Sequence, residues 1–127
     1  MSNISENKVA IITGGSRGVG AATANLLASK GWNVTITCTS SIEDANHVVE
    51  ECQKHGVEAI ALAADVSDDA SCVKTAEETV NRWGRIDALV NNAGTTKFVF
   101  NHADLDGLDA EDFLHIYRVS VVGPFQM

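Results

Sequence analysis

A glycine-rich segment near the N-terminus constrains the fold of this chain more than any other feature. It reads Thr-Gly-Gly-Ser-Arg-Gly-Val-Gly over residues 13–20, between an apolar run at 9–13 and an alanine-rich stretch at 21–30. The apolar run predicts a strand, and the alanine-rich stretch predicts a helix. The segment therefore predicts a strand, a tight turn and a helix in immediate succession, with the positive end of the helix dipole at the turn.

Three glycines of this turn have the spacing of a phosphate-binding loop. Gly14 permits the tight turn, Gly18 lets a ligand approach the backbone, and Gly20 allows the helix to pack closely on the sheet. Free N–H groups at the helix start then face the phosphates. An ordinary strand-to-helix turn is the alternative interpretation of the glycines alone.

Strands and helices alternate along the rest of the chain. Short apolar runs at 34–38, 59–64 and 88–90 are nearly continuous in hydrophobicity, as strands buried in a parallel sheet are. We expect a Rossmann-type α/β fold, a doubly wound parallel sheet of about four strands in the order 3-2-1-4, incomplete and flanked by helices. The apolar helix faces are expected at Ile42, Ala45, Val49 and Cys52, and at Val73, Ala76, Val80 and Trp83.

Helix start and stop signals agree with this division. Ser67, followed by Asp68 and Asp69, is a candidate N-cap with acids in the first turn. A final helix is expected to start near Asp109, with Asp112 completing a pair similar to a capping box. Helix ends are expected at Gly31, Gly56 and Gly84.

Composition narrows the class of partner. Seventeen acidic against nine basic residues give a formal net charge of −8, which disfavours nucleic acid or an anionic membrane as the main partner. Cys38, Cys52 and Cys72 are isolated, and neither they nor the four histidines show metal-ligand spacing. The histidines are interpreted as solvated residues. With no signal-peptide pattern at the start, we expect a soluble cytoplasmic protein without a metal.

The spacing TGxxxGxG resembles that of the short-chain dehydrogenase/reductase family. Three further segments resemble that family in the same order: Ala64-Asp65-Val66, Asn91-Asn92-Ala93-Gly94, and 112–127 with its Gly123-Pro124-Phe125. Asp65 could instead only cap a turn, and Asn91 and Asn92 could only be turn formers. The resemblance covers essentially the whole chain and implies a nicotinamide dinucleotide as ligand. It implies binding by Gly14, Ser16, Arg17, Gly18, Val19, Gly20, Thr39, Ser40, Asp65, Val66, Asn92, Ala93 and Gly94.

The end of the second predicted strand favours NADP(H), while NAD(H) stays open. An acid there would bind the ribose 2′-hydroxyl of NAD and repel a 2′-phosphate, but residues 37–41 contain none. Thr39 and Ser40 offer hydroxyl donors, and Arg17 supplies positive charge. Ser40 and Ser41 could instead only cap the next helix.

The resemblance implies hydride transfer between the nicotinamide and a carbonyl or alcohol carbon, with a YxxxK pair as the acid/base group. The only tyrosine is Tyr117, and Val121 stands four residues later, so this pair is absent from the 127 residues and no catalytic residue is identifiable. Ser120 stands at the position of the family's catalytic asparagine. The chain is therefore expected to be the cofactor-binding portion, inactive alone, in a single domain at 1–127 truncated before the catalytic portion.

Two other interpretations of the chain stay open. One is a non-catalytic NADP(H)-binding module or degenerate relative, and the other is a chain that folds only with a partner. An unpaired outer edge on the fourth strand would favour a homo-oligomer. A small-molecule substrate is expected only if the missing half is present. Residues 97–106 would then be candidates for touching it.

Overall fold

The computed structural model describes residues 6–94, 107 and 109–127. Four parallel strands form one sheet in the order β3-β2-β1-β4, which confirms the predicted Rossmann-type arrangement. Ile11 of the central strand pairs with Thr35 of β2 and with Leu89 of β4. In chain order the elements are β1 (Val9–Ile12), α1 (Gly18–Ser29), β2 (Asn33–Cys38), α2 (Ile42–Gln53), β3 (Ala59–Ala63), α3 (Asp69–Trp83), β4 (Ala88–Val90), α4 (Ala110–Tyr117), a π-helical turn (Arg118–Val122) and α5 (Gly123–Gln126).

The two faces of β2 differ in chemistry. Ile12 and Ile36 belong to the apolar core that the sheet forms with α1 and α2. On the opposite face of β2 the side chains Asn33, Thr35 and Thr37 are polar, yet all three are buried. The alternation of a strand therefore divides β2 into an apolar side and a polar side.

The predicted apolar face of α3 is wrong. Val73 and Val80 are 48% and 45% exposed, while Thr75 and Thr79 are buried. The reason lies in the sheet, because the Oγ1 atoms of Thr35 and Thr79 are 3.0 Å apart and hydrogen-bonded. Thr79 Oγ1 also donates to the Thr75 carbonyl at 2.8 Å. The helix thus turns its hydroxyl stripe toward the polar side of β2.

The predicted face of α2 is right only in part. Ala45 and Cys52 are buried as expected, but Val48 is buried where Val49 was expected, and Ile42 is 41% exposed. The predicted set and the buried residues 45, 48 and 52 both follow the three- and four-residue steps of a helix, so periodicity alone did not distinguish them.

Most helix boundaries follow the sequence signals. Gly31, Gly56 and Gly84 have positive φ just beyond the ends of α1, α2 and α3. The strands end within a residue of their predicted ends, whereas α1 starts at Gly18 instead of residue 21. The Ser67 N-cap is wrong, because Asp68 occupies that position and Ser67 instead donates to Asp65.

Side-chain hydrogen bonds hold neighbouring elements together at the end of the sheet where the strands begin. Glu58 Oε2 accepts from Trp83 Nε1 at 2.9 Å and from Arg82 Nε at 3.2 Å, which ties α3 to the start of β3. Asp87 Oδ2 accepts from the Val9 N–H at 2.8 Å and holds β4 beside β1. These hydrogen bonds hold the sheet and α3 together at the end where the strands begin.

Cys38, Cys52 and Cys72 are buried and unpaired. Burial raises the pKa of each thiol, that of Cys52 to about 11. Among the described residues, no helix is long and apolar enough to span a membrane, and no cluster of acidic, histidine or cysteine side chains suits a metal ion.

Candidate cofactor-binding site

A pocket of about 480 Å³ lies at the carboxyl ends of the strands. In open parallel sheets this is where ligands bind, beside the point at which the strand order reverses. Here that point is β1, since β2 lies on one side of it and β4 on the other. The pocket is lined by Gly14, Ser16, Arg17, Thr37, Cys38, Thr39, Ser41, Ala64, Asp65, Val66, Asn92, Ala93, Gly94, His115 and Val119.

Two backbone N–H groups fix the first part of the glycine loop to β2. The Gly14 N–H donates to Thr37 Oγ1 at 3.2 Å, and the Gly15 N–H donates to the Thr37 carbonyl at 3.0 Å. Gly14 has a φ of +67°, a conformation that glycine adopts without strain. A Cβ on Gly15 would lie 2.6 Å from Cβ of Ile36, so the loop crosses β2 in close contact. Sequence reasoning gave no role to Gly15 or Thr37.

The fourth strand holds the loop from the other side. Asn92 Nδ2 donates to the Gly14 carbonyl at 3.0 Å. A Cβ on Gly20 would overlap with the same carbonyl oxygen and lie 2.5 Å from Asn92 Nδ2. Gly20 therefore allows close packing of α1, but against the glycine loop and Asn92 and not against a strand of the sheet as predicted.

Thr13 joins β1 to the segment after β4. Its Oγ1 accepts from the backbone N–H groups of Asn92 at 3.1 Å and of Ala93 at 3.0 Å. One buried hydroxyl thus positions the backbone of two predicted site residues. The sequence placed this threonine at the end of a strand and in the glycine-rich segment, but predicted no role for its hydroxyl.

Neither the N-cap residue nor the first turn of α1 supplies a group that would neutralise the start of this helix. Its N-cap, Arg17, makes no side-chain capping bond, and the first turn holds no acid. In contrast, α4 has the predicted capping box, in which Asp109 Oδ1 accepts from the Asp112 N–H and Asp112 Oδ2 accepts from the Asp109 N–H. An uncapped helix start attracts an anion through its N–H groups and its dipole. Gly18, at φ +58°, has open space where a side chain would extend.

At the end of β2 the hydroxyl groups in the pocket differ from those predicted. Thr39 lines the pocket as expected, but Ser41 lines it where Ser40 was expected. Ser41 is the N-cap of α2 and makes no side-chain capping bond. Arg17 lines the same pocket from the glycine loop. A cation and two hydroxyl groups therefore line the pocket at the end of β2, and residues 39–41 contain no carboxylate.

Asp65 is fixed at the end of β3 by Ser67. Its Oδ1 accepts from Ser67 Oγ at 2.6 Å and from the Ser67 N–H at 2.9 Å. Chiefly because of the Ser67 side-chain hydrogen bond, the pKa of the Asp65 carboxyl lies below its usual value, although burial opposes the shift. The backbone hydrogen bond and the nearby His115 lower it further. The carboxylate is thus a fixed, charged acceptor in the pocket.

The last helical segment packs on the residue after Asp65. A Cβ on Gly123 would lie 2.7 Å from Cγ2 of Val66, so the two segments touch closely. Val66, Cys72 and Val119 form a small buried cluster, with the Cys72 thiol donating to the Val66 carbonyl at 3.3 Å. This packing brings His115 and Val119 into the pocket wall.

The pocket gathers nine of the thirteen predicted cofactor-binding residues. The pocket lining does not include the other four, which are Gly18, Val19, Gly20 and Ser40. The first three of these begin α1 and directly follow the glycine loop, which does line the pocket. The lining residues without a predicted role are Thr37, Cys38, Ser41, Ala64, His115 and Val119. His115 was interpreted as a solvated residue. Its neighbour in the pocket, Asp65, lies fifty residues earlier, so the periodicity of the helix could not predict that the two residues are close.

Ser120, predicted at the position of the family's asparagine, lies in the π-helical turn and is exposed. Such π-turns are rare and occur frequently at functional sites. Tyr117 is 55% exposed and ends α4. The candidate substrate-contacting segment 97–106 lies outside the described residues.

Comparison with known proteins defines the class. The family model described as short chain dehydrogenase matches residues 8–127, so the chain belongs to that family. A short-chain dehydrogenase/reductase of Pestalotiopsis microspora is 37% identical over 120 residues, which cover 94% of this chain and 44% of that protein. Versicolorin reductase 1 of Aspergillus parasiticus is 38% identical, with the same coverage. The chain thus spans less than half the length of these curated relatives.

Solved structures agree with the fold and differ in cofactor. A short-chain dehydrogenase/reductase structure from Burkholderia xenovorans has a TM-score of 0.90 at 38% identity, over 96% of this chain and 50% of that one. An NAD⁺-bound xylitol dehydrogenase has a TM-score of 0.83 at 28% identity, over 94% and 44%. A metagenomic short-chain oxidoreductase in complex with NADP has a TM-score of 0.83 at 32% identity, over 96% and 54%. These neighbours establish nicotinamide dinucleotides as the ligands of the class.

Proposed function

We propose that this chain is the cofactor-binding portion of a short-chain dehydrogenase/reductase and that its pocket prefers NADP(H) to NAD(H). The observation that carries the proposal is the uncapped start of α1 beside a pocket at the carboxyl ends of the strands. The pyrophosphate lies there, against the glycine loop at Gly14, Ser16 and Gly18 and the helix start at Val19 and Gly20. Asp65, Val66, Asn92, Ala93 and Gly94 border the rest of the dinucleotide.

The preference for NADP(H) rests on charge at the end of β2. Arg17, Thr39 and Ser41 line the pocket, and the stretch from Thr37 to Ser41 has no carboxylate to repel a 2′-phosphate. An arginine binds phosphate through charge and directed N–H groups together. Ser40 is exposed beside them and remains a candidate from the sequence.

Hydride transfer is the proposed activity of the protein of which this chain is part. The bound nicotinamide supplies or accepts a hydride, and the residues of this chain orient the dinucleotide at the ends of the strands. One relative is named a reductase, which favours carbonyl reduction. We place the protein in the cytoplasm, as a single dinucleotide-binding domain over 1–127.

A second candidate is a non-catalytic NADP(H)-binding module. The observation that favours it is Ser120, because a hydroxyl does not present the paired donor and acceptor of an amide. A complete enzyme and a binding module both bind the dinucleotide, so only turnover separates them. Substrate-dependent oxidation of NADPH would exclude the module.

The binding proposal is tested by titrating NADPH and NADH into the 127-residue chain by calorimetry. NADPH should bind at least tenfold more tightly than NADH, and Arg17→Gln should remove most of that difference because a charge-assisted phosphate contact is lost. Lys30→Gln is the matched control, since it removes a cation at the opposite end of α1. Equal binding of both dinucleotides by the unaltered chain would exclude the NADP preference.

A further inference from the structure

The hydroxyl group of Thr37 belongs to a residue that lines the pocket and is nevertheless buried. Thr37 is only 1% exposed. It stands next to last in β2, on the polar side of that strand. Its neighbour on the same side, Thr35, bonds inward to Thr79. Because buried hydroxyl groups have hydrogen-bond partners in the large majority of cases, the partners of Thr37 indicate what this end of β2 binds.

The hydrogen bonds of Thr37 leave its own proton without a protein acceptor. A threonine hydroxyl carries one proton to donate and can also accept. Thr37 Oγ1 accepts from the Gly14 N–H at 3.2 Å, and in the part of the chain that the structure describes this hydroxyl donates to no protein group. Thr13 provides the contrast, because its Oγ1 accepts from two N–H groups and donates to the Val90 carbonyl at 3.4 Å. Thr37 therefore has a donor to spare.

The contacts of Thr37 with the glycine loop place this donor beside the proposed path of the dinucleotide. The Thr37 carbonyl accepts from the Gly15 N–H at 3.0 Å, so the side chain and the backbone of Thr37 both hold the loop. In the proposed function Gly14 borders the pyrophosphate, whereas Arg17 and Thr39 border the 2′-phosphate. A buried donor without an acceptor is costly, and phosphate and sugar oxygens are acceptors. An oxygen atom of the ligand would remove this cost.

We propose that Thr37 is a further binding residue of this pocket, whose hydroxyl donates to an oxygen atom in the sugar–phosphate backbone of the dinucleotide while it accepts from the Gly14 N–H. This inference rests on the proposed function, because it takes a nicotinamide dinucleotide as the ligand. The accepting oxygen belongs to the part that NADPH and NADH share, because Thr37 bonds to Gly14 and Gly15 at the beginning of the loop. Thr37 therefore adds affinity for both dinucleotides and does not select between them.

The same strand offers a matched control for this threonine. Thr35 and Thr37 lie on one side of β2, both are buried, and both hydroxyl groups bond to the protein. Thr35 is not among the pocket-lining residues, so Thr35→Val removes a buried hydroxyl outside the site. Thr37→Ser keeps the hydroxyl and removes only a methyl group. The melting temperature of each variant shows whether it is folded under the conditions of the binding experiment.

The first test measures the dissociation constants of NADPH and NADH for the unaltered chain and the three variants. We expect Thr37→Val to weaken both dinucleotides by the same factor, about tenfold, because a directed hydrogen bond is lost. Thr37→Ser should stay within about threefold of the unaltered chain and Thr35→Val within about twofold, since neither loses that bond. A loss confined to NADPH would contradict the proposal, because the accepting group would then be the 2′-phosphate.

A second measurement separates donation to the ligand from support of the loop. Thr37→Val also removes the acceptor of the Gly14 N–H, so both roles predict weaker binding. In ¹H NMR of the unaltered chain with NADPH, the Thr37 hydroxyl proton should exchange slowly with water and show a nuclear Overhauser effect to a sugar proton of the dinucleotide. A hydroxyl proton that exchanges as fast as in the free chain, or that contacts only protein protons or water, would overturn the proposal even if Thr37→Val does not fold.

The outcomes also distinguish this inference from the proposed function. If the unaltered chain binds neither dinucleotide, the proposed function fails, and the role of Thr37 fails with it. Normal binding by the unaltered chain, with the affinity of folded Thr37→Val within about twofold of it, refutes only the role of Thr37.

Discussion

At the scale of single residues, three polar side chains hold the backbone of the candidate site in place. Thr13, Thr37 and Asn92 use their side chains to fix the glycine loop and the segment after β4. These hydrogen bonds fix Gly14, at the beginning of the loop that leads into α1, within the protein itself. Such preorganisation lowers the ordering cost of binding.

Gly20 provides a test of the close contact between α1 and the loop. An exposed helical glycine normally gains up to about 1 kcal/mol when replaced by alanine. Here the new Cβ would overlap with the Gly14 carbonyl, so we expect Gly20→Ala to lower the free energy of unfolding by about 1–3 kcal/mol. Urea denaturation measures the change. Gly94→Ala is the control, because its Cβ would meet no heavy atom closer than 4.0 Å, and a stabilised Gly20→Ala would contradict the packing.

The Ser67 hydrogen bond provides a pH test at the same scale. It is the largest cause of the lowered pKa of Asp65, so Ser67→Ala should raise that pKa toward its usual value. A carboxyl with a lowered folded-state pKa stabilises the fold at higher pH, and this stabilisation is lost as the pH falls through the folded pKa. In Ser67→Ala the carboxyl should therefore protonate at a higher pH. Carbon-detected NMR titration of Asp65 measures the midpoint, and Ser71→Ala, beside Asp68, serves as control.

At the scale of elements, the buried hydroxyl contact between α3 and β2 decides which face of the helix packs inward. Thr79 Oγ1 donates to the Thr75 carbonyl, so in the 3.0 Å contact Thr35 is the donor and Thr79 the acceptor. We expect Thr79→Val to cost about 1–3 kcal/mol of unfolding free energy, because it leaves the Thr35 hydroxyl without that acceptor.

The double variant completes this test. Thr35→Val with Thr79→Val replaces both hydroxyl groups by methyl groups of similar shape, so its cost should be smaller than the sum of the single costs. Chemical denaturation of the four proteins gives the coupling free energy. Strictly additive costs would show that the two hydroxyl groups do not depend on each other.

The elements also show how far sequence patterns reach. Strand positions and order were predictable because continuous apolar runs such as Val9–Ile12 indicate buried parallel strands. The buried face of α3 was not predictable in this way, because hydrophobic spacing favoured Val73 and Val80. The packing instead follows the hydrogen bond between Thr79 and Thr35, a polar residue forty-four positions earlier. The same limit applies in the pocket, where local motifs located Gly14 and Asp65 but a contact between distant segments added His115.

At the scale of the whole molecule, the outer side of β4 has no strand partner, and large apolar side chains of α4 and α5 are exposed, in the part of the chain that the structure describes. β4 pairs only with β1, and Leu89 at its centre is 37% exposed. Phe113 and Phe125 are 63% and 89% exposed. Unpaired strands and exposed apolar side chains favour association. A homo-oligomer therefore remains a prediction, and the unpaired side of β4 and the exposed apolar side chains are the physical reason for it.

This association should depend on concentration. Gel filtration with light scattering should show the mass of the 127-residue chain rising above its 13.5 kDa as the protein is concentrated. Phe125→Lys should shift the chain toward the monomer, because it places charge on an exposed apolar site. Glu50→Lys, at an exposed position of α2, is the control for adding a lysine elsewhere on the surface. A constant monomeric mass at all concentrations would rule out self-association through these surfaces.

The most direct test of the central claim is a map of NADPH binding over the whole chain by ¹⁵N–¹H NMR. We predict saturable shifts at the N–H groups of Gly14, Gly18, Asp65 and Gly94 around the pocket. The N–H signals of Glu58 and Asp87, at the opposite end of the sheet where the strands begin, should not shift. Saturable shifts confined to the carboxyl ends of the strands would establish this pocket as the dinucleotide site. Shifts at the opposite edge alone, or none at millimolar NADPH, would contradict the account.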